Sequence, residues 1–307
     1  MESELSTGGR KPRIGVLMPA GRLEGNLGVV THTYNDPEKA KTLFTNIGDC
    51  FVYDSSLRIL DYSELFPIYV PADGNLSETQ IEKINQLDYI FLRGSNYINT
   101  NGQWDPITAV LEKTKVPVIA FGIGVQVPDN SDEYVNSSTK RFLQLVADRS
   151  VSIGVRGNLS KKALNSIGIK NVRIFGCPTA FRHCKPQLKL RWVDASSINR
   201  LGFTLRRKTH GFHTQQRYVL RTLAERYDTE ILCAGELEEK QIYYARAKLV
   251  ENYDQVMDAA VKKLTAEKWI YGPKDPLLAL YKSSLSVFES VADFERAEQC
   301  LDAVTGY

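Results

Sequence analysis

Short, nearly continuous apolar runs recur along the first half of the chain. Six of them are rich in Val, Ile and Phe and are only four to six residues long: Arg13–Met18, Phe66–Val70, Tyr89–Leu92, Val116–Phe121, Val151–Val155 and Val172–Phe175. Runs of this kind are typical of parallel strands that are covered on both faces. The pattern therefore predicts one parallel sheet of six strands.

Segments long enough for crossover helices separate these runs. The predicted helices are Asp49–Leu60, Ser77–Gln86, Trp104–Lys113, Ser137–Arg149 and Asn158–Ser166. Ser77 is followed three residues later by Gln80, which is the spacing of a capping box. Strands that alternate with helices in this order predict a doubly wound, Rossmann-like α/β domain.

A second series of strands and helices follows a stretch rich in Pro, Lys and Arg. Its predicted strands are Leu201–Leu205, Glu230–Cys233, Trp269–Tyr271 and Leu301–Thr305, and its predicted helices lie near Thr214–Tyr227, Glu236–Lys248, Tyr253–Leu264 and Leu277–Cys300. We expect a disordered segment at 1–12, a first domain at 13–184, a linker at 185–200 and a second Rossmann-like domain at 201–307. The last predicted strand has no helix after it, so we expect this second domain to be incomplete, as in a fragment or a shortened relative of a longer enzyme.

Composition narrows the class of protein. The chain has 307 residues, of which 43% are hydrophobic and 24% charged, with a formal net charge of +3. This balance, without a block of Lys and Arg, gives no indication of a nucleic-acid partner. Five cysteines without a CxxC pair favour free thiols in a reducing compartment. No apolar stretch is long enough to span a bilayer, so we expect a cytoplasmic protein with at most a peripheral link to a membrane.

The segment Thr45–Asp49 precedes the first predicted helix. Gly48 allows a ligand to approach the backbone, and Asp49 is placed to accept hydrogen bonds from sugar hydroxyls or to cap the helix. Both interpretations remain open from the spacing alone.

Glycines also follow two predicted strands, in Arg93–Asn96 and in Gly122–Gln126. A backbone without a side chain at Gly94 would let a ligand lie against the carboxyl end of the sheet, although a tight turn explains the same glycines. Neither segment carries the complete GxGxxG pattern, which argues against NAD or FAD.

Two arginines are candidates for anion binding. Arg156 follows the strand Val151–Val155 directly and precedes a helix, so its guanidinium and the helix dipole would both attract an anion. Arg206 follows the first strand of the second series in the same way. The alternatives are a surface ion pair for Arg156 and an interdomain salt bridge for Arg206.

Other residues carry weaker signals. His210 and His213 have near metal-ligand spacing, but Gly211 and the absence of a nearby third ligand favour a solvated loop, and we predict no metal site. The rings of Tyr97, Trp104 and Tyr134 are as consistent with core packing as with stacking on a sugar.

Taken in order, these motifs resemble the polysaccharide pyruvyl transferase family. The resemblance rests on Asn46–Asp49, the glycine-ended strands, Ser152–Arg156 with Leu164 and Gly168, and Gly176–Pro178. It covers the chain from about Pro12 to Tyr307. This chain departs from the family pattern at Ser95–Asn96, where a more glycine-rich turn is common, and at Cys177, where some members carry Asp.

The resemblance implies a two-domain, GT-B-like enzyme without a cofactor. Such an enzyme transfers the enolpyruvyl group of phosphoenolpyruvate onto two hydroxyls of a sugar or lipid-linked oligosaccharide in surface polysaccharide biosynthesis. It implies Asp49 as a catalytic or acceptor-positioning group, with Asn46, Gly48, Gly94, Arg156 and Arg206 binding substrate. The family's Arg-Leu-His motif, which would supply the general acid, is expected beyond Tyr307. A GT-B glycosyltransferase that uses a nucleotide sugar and a non-catalytic glycan-binding relative remain alternatives.

Overall fold

The computed structural model describes residues 10–17, 21–23, 26–28, 47–127, 134–183, 193–205, 212–233, 238–288, 295–296 and 299. The chain divides into two units. Unit 1 comprises 1–44 and 48–187, and unit 2 comprises 45–47 and 188–307.

A parallel sheet of six strands forms the centre of unit 1. Its strands, given in chain order, are β1 (Arg13–Leu17), β4 (Glu64–Ile68), β5 (Tyr89–Leu92), β6 (Val118–Ile123), β7 (Ile153–Val155) and β8 (Val172–Ile174). Their spatial order is β4-β1-β5-β6-β7-β8. The predicted parallel sheet is thus confirmed. Since β4 and β5 lie on opposite sides of β1, the order reverses there, and open sheets of this kind bind ligands outside the carboxyl ends of the strands at the reversal.

Helices connect these strands: α1 (Ile47–Ile59), α2 (Glu78–Asn85), α3 (Asp105–Lys113), α4 (Ser137–Asp148) and α5 (Asn158–Ser166). The capping box predicted before α2 is present. The Ser77 hydroxyl accepts a hydrogen bond from the Gln80 amide at 3.3 Å, and the Gln80 side chain accepts one from the Ser77 amide at 2.9 Å.

The side chains of the strands alternate between two cores. In β5, Ile90 and Leu92 belong to one apolar cluster and Phe91 to another. Because successive side chains of a strand point to opposite faces, the two clusters lie on opposite faces of the sheet. Tyr53 and Leu57 of α1 belong to the cluster of Phe91, whereas α2 to α5 contribute to the other. Both faces are therefore packed, which explains why the strands are apolar without alternation.

A short hairpin that the sequence did not predict follows β1. Its strands, β2 (Gly21–Leu23) and β3 (Asn26–Gly28), pair in antiparallel fashion. Each has only three residues.

Unit 2 contains a parallel sheet of three strands in the order β11-β10-β9. The strands are β9 (Arg200–Leu205), β10 (Asp228–Cys233) and β11 (Leu285–Val287). Its helices are α6 (His213–Ala224), α7 (Glu239–Arg246), α8 (Tyr253–Ala266) and α9 (Pro276–Ser284). A third apolar cluster, which includes Leu220, Ile231 and Tyr281, fills the space between them.

Two predictions for the second half of the chain are wrong. The segment Trp269–Tyr271 is not a strand: the amide of Trp269 donates to the carbonyl of Leu264 at 2.9 Å, so the backbone closes the end of α8. Trp269 and Ile270 are apolar because they pack into the core of unit 2.

The predicted continuous helix Leu277–Cys300 is also wrong, because α9 ends at Ser284 and the chain continues directly as β11. Leu285 pairs with Ile231 and Val287 with Cys233, so this segment supplies the third strand that was assigned to Trp269–Tyr271. Leu285 and Val287 point into the core with Ser286 between them, and this alternation is too short to be distinguished from a helix by its period.

Several predictions fall outside the described residues. They concern Asn46, Arg206, His210 and the segment Leu301–Tyr307. Within the described ranges, no helix has the length and apolar character needed to cross a membrane.

Candidate functional site

The carboxyl ends of β5, β6 and β7 place three loops of unit 1 side by side. The amide of Gly124 donates to the carbonyl of Ser95 at 2.8 Å, and the amide of Ile98 donates to the carbonyl of Gly124 at 3.1 Å. The Arg156 amide donates to the carbonyl of Ile123 at 3.0 Å. These bonds join the loops after β5, β6 and β7 into one continuous edge.

Arg156 lies at the centre of this edge. Its Nε donates to the Gly122 carbonyl at 2.9 Å, and its Nη1 donates to Asn96 Oδ1 at 3.0 Å. Asn96 is itself held, because its Nδ2 donates to Gln126 Oε1 at 3.2 Å. The guanidinium is therefore fixed by two acceptors that carry no charge.

The alternative of a surface ion pair is not found for Arg156. Among the described residues, no carboxylate lies within salt-bridge distance of it, and its hydrogen bonds leave Nη2 without an acceptor. A fixed arginine with unused N–H groups at the end of a strand can bind a carboxylate or a phosphate.

Asp49 lies in the first turn of α1, the third residue of the helix rather than its cap. One carboxylate oxygen is 3.9 Å from Nη1 of Arg93, and the Asp49 side chain is 25% exposed while that of Arg93 is only 3% exposed. The carboxylate of Asp49 is therefore accessible to a ligand, whereas the guanidinium of its neighbour Arg93 is buried. Gly48, beside it, is exposed at the same helix end.

The hydroxyl of Tyr97 lies among these charged groups. Burial raises its pKa, the positive charges of Arg93 and Arg156 oppose the shift, and Asp49 adds to it. The same hydroxyl is inaccessible to solvent and has no hydrogen-bond partner among the described residues. A tyrosine is protonated at neutral pH even with its ordinary pKa, and the raised pKa acts in the same direction, so the Tyr97 hydroxyl is a potential hydrogen-bond donor.

The ring of Tyr97 packs in the core. Its centroid is 5.1 Å from that of Trp104 and 5.6 Å from that of Phe142, and the residue is only 1% exposed. Neither face of the ring is open to a sugar, so packing, and not stacking on a ligand, accounts for Tyr97.

Glycine is required at 94 and 122 by packing. A Cβ at Gly94 would lie 2.9 Å from a methyl group of Val52 and 3.1 Å from the Gly122 carbonyl. Gly122 has a φ of +76°, and a Cβ there would lie 2.7 Å from the ring of Pro178. These glycines bring α1, β5, β6 and the Gly176–Pro178 turn into direct contact beneath the edge.

A buried ion pair connects α1 to the segment after β8. Nη1 of Arg182 is 2.6 Å from Oδ2 of Asp54, with side chains 8% and 9% exposed. The guanidinium carbon of Arg182 also lies 5.1 Å from the ring centre of Phe51. This pair holds α1, the helix that carries Asp49, against the segment that follows β8.

A model of the polysaccharide pyruvyl transferase family matches residues 27–282. The chain belongs to this family. The match spans most of unit 1 and of unit 2, and it confirms the resemblance drawn from the order of the motifs. A search among curated proteins finds no match.

Two of the residues predicted for a pyruvyl transferase site, Gly94 and Arg156, lie in this edge. Two others, Gly48 and Asp49, lie in the first turn of α1, where Asp49 is 3.9 Å from Arg93 of the edge. Sequence reasoning missed Arg93 and Asn96. Arg93 follows a buried strand in the same way as Arg156 does, and that placement was the signal that could have found it. The described residues contain no group of three or more His, Cys, Asp or Glu side chains that could hold a metal ion.

Proposed function

We propose that this chain is a ketal pyruvyl transferase, which moves the enolpyruvyl group of phosphoenolpyruvate onto two hydroxyls of a sugar. Membership of the polysaccharide pyruvyl transferase family supports the reaction class. The observation that carries the donor assignment is Arg156, a guanidinium fixed by Gly122 and Asn96 with its outer N–H groups unused among the described residues.

Phosphoenolpyruvate carries a carboxylate and a phosphate on one small skeleton, so its site needs converging cations and helix N-termini. Arg156 would bind one anionic group, and the dipole of α1, whose first turn contains Gly48, would favour the other. Asn46 and Arg206, which lie outside the described residues, are also proposed as substrate-binding residues.

In the reaction, the methylene carbon of the enolpyruvyl group gains a proton and becomes a methyl group. The central carbon forms bonds to two sugar oxygens, the bond to the phosphate oxygen breaks, and the two hydroxyls release their protons. Asp49 is partly exposed and fits the role of a base or of a group that orients the acceptor hydroxyls. The acceptor is proposed to be a sugar or a lipid-linked oligosaccharide of surface polysaccharide biosynthesis, modified in the cytoplasm.

The test is calorimetric titration of phosphoenolpyruvate into the protein and into two variants. Arg156→Ala is expected to abolish binding, whereas Arg173→Ala, which removes an exposed arginine from β8, is expected to leave it unchanged. UDP-sugars are titrated in parallel. Binding of a UDP-sugar without binding of phosphoenolpyruvate would replace this proposal with the nucleotide-sugar glycosyltransferase, and equal binding by both variants would remove Arg156 from the site.

A further inference from the structure

Three phenylalanines lie together at one end of the sheet of unit 1. Phe121 lies in β6, Phe175 follows β8 directly, and Phe181 ends the short 3₁₀ helix Pro178–Phe181. The ring centre of Phe121 is 5.6 Å from that of Phe175 and 6.3 Å from that of Phe181. Both distances are typical of favourable aromatic contacts. The three rings therefore form one apolar surface, which we call the phenylalanine platform.

Gly154 of β7 allows two of these rings to meet. Strand β7 lies between β6 and β8. A Cβ at Gly154 would lie 2.9 Å from Cδ2 of Phe121 and 3.0 Å from Cδ2 of Phe175. Glycine inside a strand weakens the strand and often marks a place where another group approaches closely. Here the groups that approach are the two rings, which meet across β7.

The platform is exposed although it is apolar. Phe175 is 46% exposed and Phe181 is 42% exposed. Phe121 packs against the cluster of Phe91, so the platform lies on the face of the sheet against which α1 packs. Single exposed apolar side chains are ordinary on a protein surface, whereas aromatic rings grouped beside polar groups are typical of ligand sites.

The backbone around Phe181 is held in place. Its neighbour Arg182 forms the buried ion pair with Asp54, in which Nη1 and Oδ2 are 2.6 Å apart. The Arg182 amide also donates to the carbonyl of Thr179 at 3.3 Å. A surface that is ordered before it binds a ligand loses less conformational entropy on binding.

The platform adjoins the proposed donor site on two sides. The amide of Phe175 donates to the carbonyl of Val155 at 3.0 Å, and Val155 is the residue before Arg156. On the other side, Phe121 precedes Gly122, whose carbonyl accepts a hydrogen bond from Nε of Arg156 at 2.9 Å. Since neighbouring strands lie about 4.8 Å apart, the platform begins about one strand spacing from the backbone that carries Arg156.

A sugar ring has the shape and the chemistry that this surface requires. One face of a pyranose ring presents C–H groups, which bury favourably against aromatic rings, while the hydroxyls at its rim stay free to react. We propose that the phenylalanine platform binds the sugar ring whose two hydroxyls receive the enolpyruvyl group, with Phe175 as its main contact. This inference rests on the proposed function, because it places the acceptor beside the donor bound by Arg156.

The experiment is saturation-transfer NMR, in which the aromatic protons of the whole chain are irradiated and the signals of an added methyl glycoside are observed. The probes are the methyl glycosides of galactose, glucose and mannose, each at about 20 mM, a concentration that detects even millimolar affinity. We expect saturation to reach the C–H protons on one ring face of at least one glycoside. Sorbitol, a polyol without a ring, should receive less.

Variants of the platform identify the rings that make the contact. Phe175→Ala should weaken binding of that glycoside about five-fold, and Phe175→Trp should retain binding. Gly154→Ala, which keeps both rings but displaces them, should also weaken binding. Tyr89→Ala is the matched control: Tyr89 is 39% exposed, begins β5 at the opposite end of the sheet, and should not affect binding. Urea denaturation of each variant shows whether it is folded.

The outcomes separate this proposal from the proposed function. Arg156→Ala should abolish phosphoenolpyruvate binding but leave saturation transfer to the glycoside, measured without phosphoenolpyruvate, in place. Glycoside binding that Phe175→Ala does not weaken, or no transfer to any of the three glycosides, would overturn the proposal. A dimer in sedimentation velocity that Phe175→Ala dissociates, without glycoside binding, would instead assign the platform to contact between two copies of the chain.

Discussion

Arg156 and Asn96 are 60 residues apart in the sequence, yet Nη1 of the arginine donates to Oδ1 of the asparagine at 3.0 Å. The bond joins the loop after β5 to the end of β7, across the intervening β6. It sets the orientation of the guanidinium on which the proposed donor site depends.

Asn96→Ala should weaken phosphoenolpyruvate binding without unfolding the protein. A hydrogen bond to a charged group is worth about 1.5–3 kcal/mol, so we expect about ten-fold lower affinity by calorimetry. Asn75→Ala, which removes an exposed asparagine from the loop before α2, is the control and should leave affinity unchanged. Equal affinity of the Asn96 variant and the parent for phosphoenolpyruvate would show that the hydrogen bond to Asn96 is not needed to orient Arg156.

Gly122→Ala should destabilise unit 1. The residue has a φ of +76°, and a Cβ would lie 2.7 Å from Pro178, so backbone strain and a steric clash add to roughly 3 kcal/mol. Gly168→Ala is the matched control, because its φ is +92° but nothing in the described ranges lies within 4 Å of the added Cβ. We expect Gly168→Ala to lower the free energy of unfolding by about 1 kcal/mol, measured by urea denaturation. Similar losses of stability in both variants would show that the structure relieves the contact with Pro178 without an energetic penalty.

Arg182→Met should also lower the free energy of unfolding, because it removes the buried partner of the Asp54 carboxylate. Among the described residues, the remaining partner of Asp54 is Arg58, whose Nε lies 2.9 Å from Oδ2 of Asp54. Removal of one member of a buried pair costs about 3 kcal/mol. Arg141→Met breaks a pair of the same length, 2.6 Å to Glu112, whose side chains are 60% and 42% exposed. The loss there should stay below about 1 kcal/mol, so a loss of equal size in the two variants would contradict the argument from burial.

The stability of unit 1 should depend on Asp88 at acid pH. The backbone amide of Arg13, which donates to Asp88 at 2.7 Å, and then Arg10 lower the pKa of this carboxyl below its ordinary value of 3.8. A carboxyl whose pKa is lower in the folded state stabilises the protein fully above the ordinary value, and the contribution is lost as the pH falls through the folded-state pKa.

Asp88→Asn should therefore reduce the fall in the free energy of unfolding between about pH 4 and pH 2, measured by urea denaturation at each pH. Asp258→Asn, on the exposed face of α8, shows the effect of removing any exposed carboxylate. An unchanged pH dependence in Asp88→Asn would mean that the bond to Arg13 contributes nothing to stability.

Local chemistry made much of unit 1 predictable. Tyr89–Leu92 and Asn158–Ser166 form a strand and a helix with the predicted bounds, and Ser77 caps α2 as its spacing from Gln80 indicated. These elements carry their signals within a few neighbouring residues. The placement of Arg156 at a strand end could be predicted for the same reason.

Segments whose structure depends on distant partners were predicted less well. Trp269–Tyr271 and Leu285–Val287 are both short apolar runs, but only the second pairs with β10. Periodicity cannot distinguish them, since the difference lies in which backbone groups find a partner in the sheet.

The sequence by itself determined the alternation of strands and helices, the six-stranded parallel sheet and the family, because these follow from local spacing and from the order of motifs. Only the tertiary structure decided that Arg93 lies 3.9 Å from Asp49 and that Asn96 holds Arg156. Each of these relationships joins residues far apart in the chain, and its energy depends on distance and burial, which a linear pattern does not contain.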